Sequence, residues 1–231
     1  MDWLQTIVLA IIQGLTEFLP VSSSAHLILP AQLLNWQDQG LAFDVAVHLG
    51  TLIAVLWYYR KNLTAIMRGA AAGVVQRQMN EDLRLGLLLA WATLPAVIIG
   101  FLGKDFIQAY TRDITLIATT TLVFGILMGV AERRSSNTIA LMKVGLGLAT
   151  IVGLAQALAL IPGTSRSGIT ITAALLLGFR RDAAADFSFL MSIPIILGAI
   201  VLMSFDLANE PQLFTFTQLV VGCIIAGVVG Y

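Results

Sequence analysis

Two stretches, FLPVSSSAHLIL at Phe18–Leu29 and ALIPGTSRSGIT at Ala159–Thr170, decide how this chain is read. Each carries a proline, then small hydroxyl residues, with one ionisable group among or after them, and each lies inside a long apolar run. An ionisable group at bilayer depth costs on the order of 2.5–3.5 kcal/mol. The 231 residues are 58% hydrophobic and 11% charged, with a mean hydropathy of +0.90, whereas soluble domains hold about 25% charged residues. The chain therefore reads as an all-α integral membrane protein, and its polar breaks need a reason. Formal net charge is zero, so no basic field points to nucleic acid. Cys223 is the single cysteine and excludes a disulfide framework or a cysteine metal site. The N-terminus, Met1-Asp2-Trp3-Leu4, has no basic region or cleavage site and reads as a retained membrane segment.

Full-length spans are expected at 41–59, 85–103, 114–131, 186–205 and 217–231, from the roughly 20 apolar residues a crossing needs. Residues 3–34 and 145–178 are different, each broken near its centre, at Pro20 and at Pro162-Gly163. The halves are too short to cross, which is the length of re-entrant segments. Basic residues gather in 60–84 and 132–143 and at Arg180-Arg181, so these face the cytoplasm by the positive-inside rule. The stretches 104–113 and 206–210 read as external. Both sets agree only if 3–34 is a hairpin entering from outside and 145–178 one entering from the cytoplasm. The order of features then repeats with inverted topology, residues 1–131 as the first repeat and 145–231 as the second, within a single membrane domain. "FDVAVHLGTLIAVL" (Phe43–Leu56) and "FLMSIPIILGAIVL" (Phe189–Leu202) support the same offset. To match the first repeat, the second needs roughly 40 residues beyond Tyr231.

A helix that starts within a membrane exposes N–H groups and the positive end of its dipole, which suits an anion. Ser22, Ser23 and Ser24 occupy the first such start, and Thr164, Ser165 and Ser167 the second, with Gly163 and Gly168 allowing close backbone approach. With Arg166, they describe a site for a phosphate or diphosphate. Gln13 and Glu17 share a helix face, as do Ser23 and His26, and Arg166 and Thr170. Carboxylate, hydroxyl, imidazole and guanidinium would converge where the hairpin tips meet. Against this, serine and threonine in membrane helices usually bond the backbone or pack, and Glu17 with Arg166 can be a structural pair. His48 has no polar motif around it and reads as structural or cavity-lining. Asp44 and Asp186 fall near span ends and are left outside the site. Trp57, Tyr58 and Tyr59 read as an interfacial aromatic belt.

"QGLTEFLPVSSSAH" (Gln13–His26) and "PGTSRSGIT" (Pro162–Thr170) resemble the two signature motifs of the bacterial undecaprenyl-diphosphate phosphatases, also called bacitracin-resistance proteins. The first is similar to that family's (E/Q)xxxE pattern with its following Ser and His, the second to its PGxSRSxxT. The resemblance implies a phosphatase of the bacterial inner membrane, its site opening to the periplasmic side, that removes the terminal phosphate of undecaprenyl diphosphate. That reaction recycles the lipid carrier for peptidoglycan synthesis and confers bacitracin resistance. A divalent cation, Mg or Ca, is implied, with Glu17 as its ligand and Gln13 beside it; this sequence departs from a two-carboxylate pattern by having Gln13. The implied catalytic residues are Glu17, Ser23, His26 and Arg166, and the implied substrate-binding residues are Gln13, Ser22, Gly163, Ser165, Ser167 and Thr170. Ser23 or His26 would attack the phosphorus, or His26 would act as base for Ser23 or for water. Expected partners are a polyprenyl diphosphate lipid and the membrane, with no nucleic acid; a homodimer is compatible with this reading. An inverted repeat with a midplane site also suits a transporter or flippase of an anionic lipid. The acid-phosphatase pattern SRxxxxxHxxxD fails, because Thr172 stands at its histidine position.

Overall fold

The computed structural model describes residues 2–103, 113–206 and 214–231. Among the described residues there are ten α-helices, and the only extended pairing is one bridge between Ile139 and Phe179. They are α1 (Trp3–Thr16), α2 (Ser23–Leu33), α3 (Gly40–Tyr58), α4 (Arg60–Gln76), α5 (Glu81–Leu102), α6 (Ile114–Arg134), α7 (Leu146–Ala157), α8 (Arg166–Leu176), α9 (Arg181–Asp206) and α10 (Phe216–Gly230). Four of them, α3, α5, α6 and α9, are long and apolar enough to cross a membrane. They coincide with four of the expected spans, and the protein is a multi-pass membrane protein. The fifth expected stretch, 217–231, is also helical and apolar, forming the 15-residue α10. A capping box between Thr215 and Gln218 fixes where it starts.

The expected breaks are present. α1 stops at Thr16 and α2 starts at Ser23, with Pro20 between them. α7 stops at Ala157, a short 3-10 turn follows at Leu158–Leu160, and α8 starts at Arg166 beyond Pro162-Gly163. The four half-segments have 14, 11, 12 and 11 residues, each well under the span length.

The basic stretch 60–84, which lies between two expected spans, forms α4 and the first turn of α5 rather than a loop. Its many charges hide an apolar face: Leu63 and Ile66 pack on the main core. Asn80 then fastens the corner, its side-chain oxygen accepting from Leu83 N at 2.8 Å and its amide donating to Gly69 O at 2.7 Å. The basic stretches do adjoin in space. Arg84 donates to the carbonyls of Val144, at 3.1 Å, and Met142, while Arg181 pairs with Glu132 at 2.5 Å and its N–H reaches Asn137 Oδ1 at 2.9 Å. The readings of 104–113 and 206–210 fall mostly on residues 104–112 and 207–213, outside the described residues.

Two apolar clusters hold the helices. The larger joins α3, α5, α7, α8 and α9 through residues such as Leu88, Val152, Leu175, Phe187 and Met191. The smaller joins α1, α2, α3 and α10 through Leu9, Leu27, Phe43, Val47 and Ala226, with Phe43 stacked on Phe214 at 4.5 Å. Here α3 and α10 meet backbone to backbone, since a Cβ on Gly50 would lie 2.1 Å from the Cys223 carbonyl oxygen. The smaller cluster thereby fixes the end of α1, where Glu17 stands.

Tyr59 departs from the expected aromatic belt. Trp57 and Tyr58 are exposed, but Tyr59 is buried and its hydroxyl donates to Asp186 Oδ1 at 2.7 Å. Asp186 is therefore anchored within the bundle by α3, a pairing that 127 residues of separation conceal in the sequence. A hydrogen bond to a charged group contributes about 1.5–3 kcal/mol. Tyr59→Phe is expected to lower the unfolding free energy in detergent by about that amount, and Tyr58→Phe to leave it unchanged. Equal melting temperatures for the two variants would show the bond to be worth nothing.

Candidate active site

Glu17 sits one residue beyond α1, and 7% of its surface is accessible. Both carboxylate oxygens are engaged. Oε1 accepts from Arg166 Nη2 at 2.8 Å, and Oε2 accepts from Gln13 Nε2 at 2.8 Å and from Ser23 Oγ at 2.8 Å. His48 Nε2 lies 3.6 Å from the same Oε2. A carboxylate this deep is tolerated because it is paired and hydrogen-bonded. Its partners come from both broken segments and from α3.

The two breaks touch directly. Ser167 Oγ donates to Leu19 O at 2.9 Å, bringing the start of α8 against the turn that holds Pro20. α6 clamps the second break from its other side: Thr120 Oγ1 donates to Pro162 O at 2.5 Å and Thr121 Oγ1 to Gly163 O at 3.0 Å. Gly163 is at φ +85°, a region costly for any residue with a Cβ. The break is thus held by its carbonyls.

Each helix start offers donors in a different way. Ser22 precedes α2 at φ 62° and its side chain makes no capping bond, so the first N–H groups of α2 have no helical partner. Ser165 caps α8, its Oγ accepting from Gly168 N at 3.1 Å and lying 3.1 Å from Ser167 Oγ. Arg166 is one residue further on. While its Nη2 pairs with Glu17, its Nη1 is buried with no hydrogen-bond partner. An unmet buried donor costs about 1–3 kcal/mol or more when charged, and an anion would meet it.

The sequence-derived residues are placed as follows. Gln13, Glu17, Ser23 and Arg166 form one connected cluster. His26 follows another path: its Nδ1 lies 2.9 Å from Ser22 O, so that nitrogen carries the proton and Nε2 is the acceptor. Ser23 and His26 share a helix face as expected, but the Ser23 hydroxyl is directed to Glu17. Thr170 Oγ1 is taken up by Arg166 O at 2.8 Å and Ser188 Oγ at 2.6 Å; this pins the first turn of α8 to α9. His48, read from sequence as structural or cavity-lining, stands beside the carboxylate. The signal that could have found it was its own position, an ionisable side chain in the middle of an apolar span.

A model of the family described as "Bacitracin resistance protein BacA" matches residues 6–231. The chain belongs to the BacA family. Among curated relatives, one named undecaprenyl-diphosphatase from Alcanivorax borkumensis is 59% identical over 231 residues, covering 100% of this chain and 87% of the relative. In this BacA-family chain Gln13 occupies the first position of the acidic pattern, and its Oε1 is buried without a partner beside Glu17. An orphaned amide oxygen next to a carboxylate is a donor set that fits a hard divalent cation. Among the described residues no three His, Cys, Asp or Glu side chains cluster as a complete metal site. Such a cation would complete its coordination with further donors, substrate phosphate oxygens and water among them.

Proposed function

We propose that this chain hydrolyses undecaprenyl diphosphate to undecaprenyl phosphate and inorganic phosphate, returning the lipid carrier to peptidoglycan synthesis and conferring bacitracin resistance. The observation that carries the reading is the buried carboxylate of Glu17, which holds a serine hydroxyl on one oxygen and a guanidinium on the other. The 59% identity to a relative named undecaprenyl-diphosphatase supports it.

In this reading Arg166 Nη1 and the open N–H groups of α2 receive the equatorial oxygens of the terminal phosphoryl group, where charge changes most in phosphoryl transfer. Ser165, Ser167 and Thr170 hold the first turn of α8 so that the guanidinium keeps its aim. Ser23 Oγ attacks the terminal phosphorus as its proton passes to Glu17 Oε2. An Oγ–P bond forms, the bridging P–O bond breaks, and undecaprenyl phosphate leaves with its electron pair. Water then attacks the phosphoserine, giving its proton to His26 Nε2, and Ser23 Oγ departs with the proton held by Glu17. A divalent cation, Mg or Ca, held by Glu17 and Gln13, would neutralise diphosphate charge.

The same proposal covers the architecture. Residues 3–34 and 145–178 are re-entrant hairpins entering from opposite faces, and 1–131 and 145–231 are inverted repeats that bring the breaks together near the midplane of the bacterial inner membrane, the site opening to the periplasm. The half-length segments, the contact between the breaks and the adjoining basic stretches support it.

The test is phosphate release from a long-chain prenyl diphosphate by purified protein in detergent, with and without EDTA. EDTA is expected to abolish release and added Mg or Ca to restore it. Ser23→Ala should lose at least about 10³-fold, and His26→Ala about 10²–10⁴-fold. Folded protein that binds the lipid but releases no phosphate would overturn the enzyme reading and favour a carrier of anionic lipid.

A further inference from the structure

His48 is one of only two histidines in the chain, and its geometry is unusual. Nδ1 lies 2.7 Å from the backbone oxygen of Asp44, one turn earlier on α3. That contact requires Nδ1 to be the N–H donor, which in the neutral ring leaves Nε2 with a lone pair. That Nε2 lies 3.6 Å from Glu17 Oε2. Two acceptors this close repel unless something positive lies between them.

A proton would draw the pair closer, since charge-assisted N–H···O bonds are about 2.7–2.9 Å long. A metal ion would not. Two adjacent ligands about 2.1–2.5 Å from one six-coordinate ion lie about 3.0–3.5 Å apart. The ring is also fixed as metal-binding imidazoles usually are, with its far N–H on a backbone carbonyl that sets tautomer and orientation. A third donor is at hand in Gln13 Oε1, buried without a partner on the amide whose nitrogen touches Glu17 Oε2. An amide flip exchanges that nitrogen for the oxygen.

We propose that His48 is a ligand of the divalent cation, binding through Nε2 opposite Glu17 Oε2, with Gln13 Oε1 as the third protein donor. This rests on the cation-assisted phosphatase reading and deepens it. A site of one carboxylate, one amide oxygen and one imidazole is not an all-oxygen cage. It favours ions that accept nitrogen, such as Mn, over Ca.

The experiment uses Mn²⁺ and the protein freed of any polyhistidine tag, alone and with a non-hydrolysable methylene-bridged prenyl bisphosphonate. Pulsed EPR of the bound ion reports a directly coordinated imidazole ¹⁴N. The expected result is ¹⁴N modulation in the parent protein, retained in His26→Gln and lost in His48→Gln, whose Mn²⁺ dissociation constant rises at least tenfold. Because the chain has two histidines, the parent and His26→Gln spectra decide the assignment even if His48→Gln does not fold. Bound Mn²⁺ without imidazole modulation, or modulation lost only in His26→Gln, would overturn the proposal and leave the cation reading standing. No bound Mn²⁺ even with the bisphosphonate present would overturn the cation itself.

Discussion

Replacing Arg166 with alanine is expected to lower kcat for prenyl diphosphate hydrolysis by at least about 10²–10³-fold, the range seen when one oriented donor to a developing oxyanion is removed. The structure gives Arg166 two tasks, and the stability of a double variant isolates the first. Nη2 neutralises Glu17 at 2.8 Å, whereas Nη1 is buried and unmet. Removing the guanidinium strands a buried carboxylate, which costs about 3–5 kcal/mol of stability. Adding Glu17→Gln to Arg166→Ala removes that stranded charge, so the double variant should melt higher than Arg166→Ala alone while remaining as inactive. Arg166→Lys keeps the charge but cannot pair with Glu17 through one nitrogen and serve phosphate through another; its loss should be smaller and partly in KM. An Arg166→Ala variant that kept near-parental kcat while melting lower would reduce Arg166 to a structural counter-ion.

The contrast between Glu17 and His48 shows what the sequence could disclose. Glu17, Ser23 and Arg166 were legible because each lies in a proline break, where helix periodicity stops and a polar group has no lipid-facing alternative. The breaks themselves fell where Pro20 and Pro162 placed them, since proline cannot continue the helical ladder. His48 lies mid-helix in an otherwise apolar span, and only the packing of α1 against α3 and α10 brings it to Glu17. Tyr59 and Asp186 were obscured in the same way: both read as interfacial residues until α3 and α9 packed side by side. The helix α4 was missed for another reason. Its Arg, Lys, Asn, Gln and small residues, with Met67, Val74 and Val75 exposed, break up any apolar stripe, and only Leu63 and Ile66 pack on the core. Local breakers are written in the chain, whereas long-range pairs are written in the packing.

Gly163→Ala should have a large effect on folding. The residue sits at φ +85°, and a Cβ there would lie 2.2 Å from Thr120 Oγ1, 2.4 Å from the Ile117 carbonyl oxygen and 2.8 Å from Ile117 Cα. Backbone strain of about 1–3 kcal/mol adds to overpacking of about 1–3 kcal/mol. The break cannot drift away to relieve the clash, because Thr120 and Thr121 hold its two carbonyls. A loss of about 2–6 kcal/mol is therefore expected, a large share of the 5–15 kcal/mol typical of a folded protein. It should appear as a lower melting temperature and poor recovery from the membrane. Gly125→Ala and Gly129→Ala on the adjoining α6 meet nothing within 4 Å and should melt like the parent. Trimming Thr120 to alanine in the Gly163→Ala background should restore stability only in part, since the Ile117 backbone remains in the way. Full restoration would mean that the side chain, and not the backbone of α6, sets the shape of the break that delivers Arg166 to Glu17.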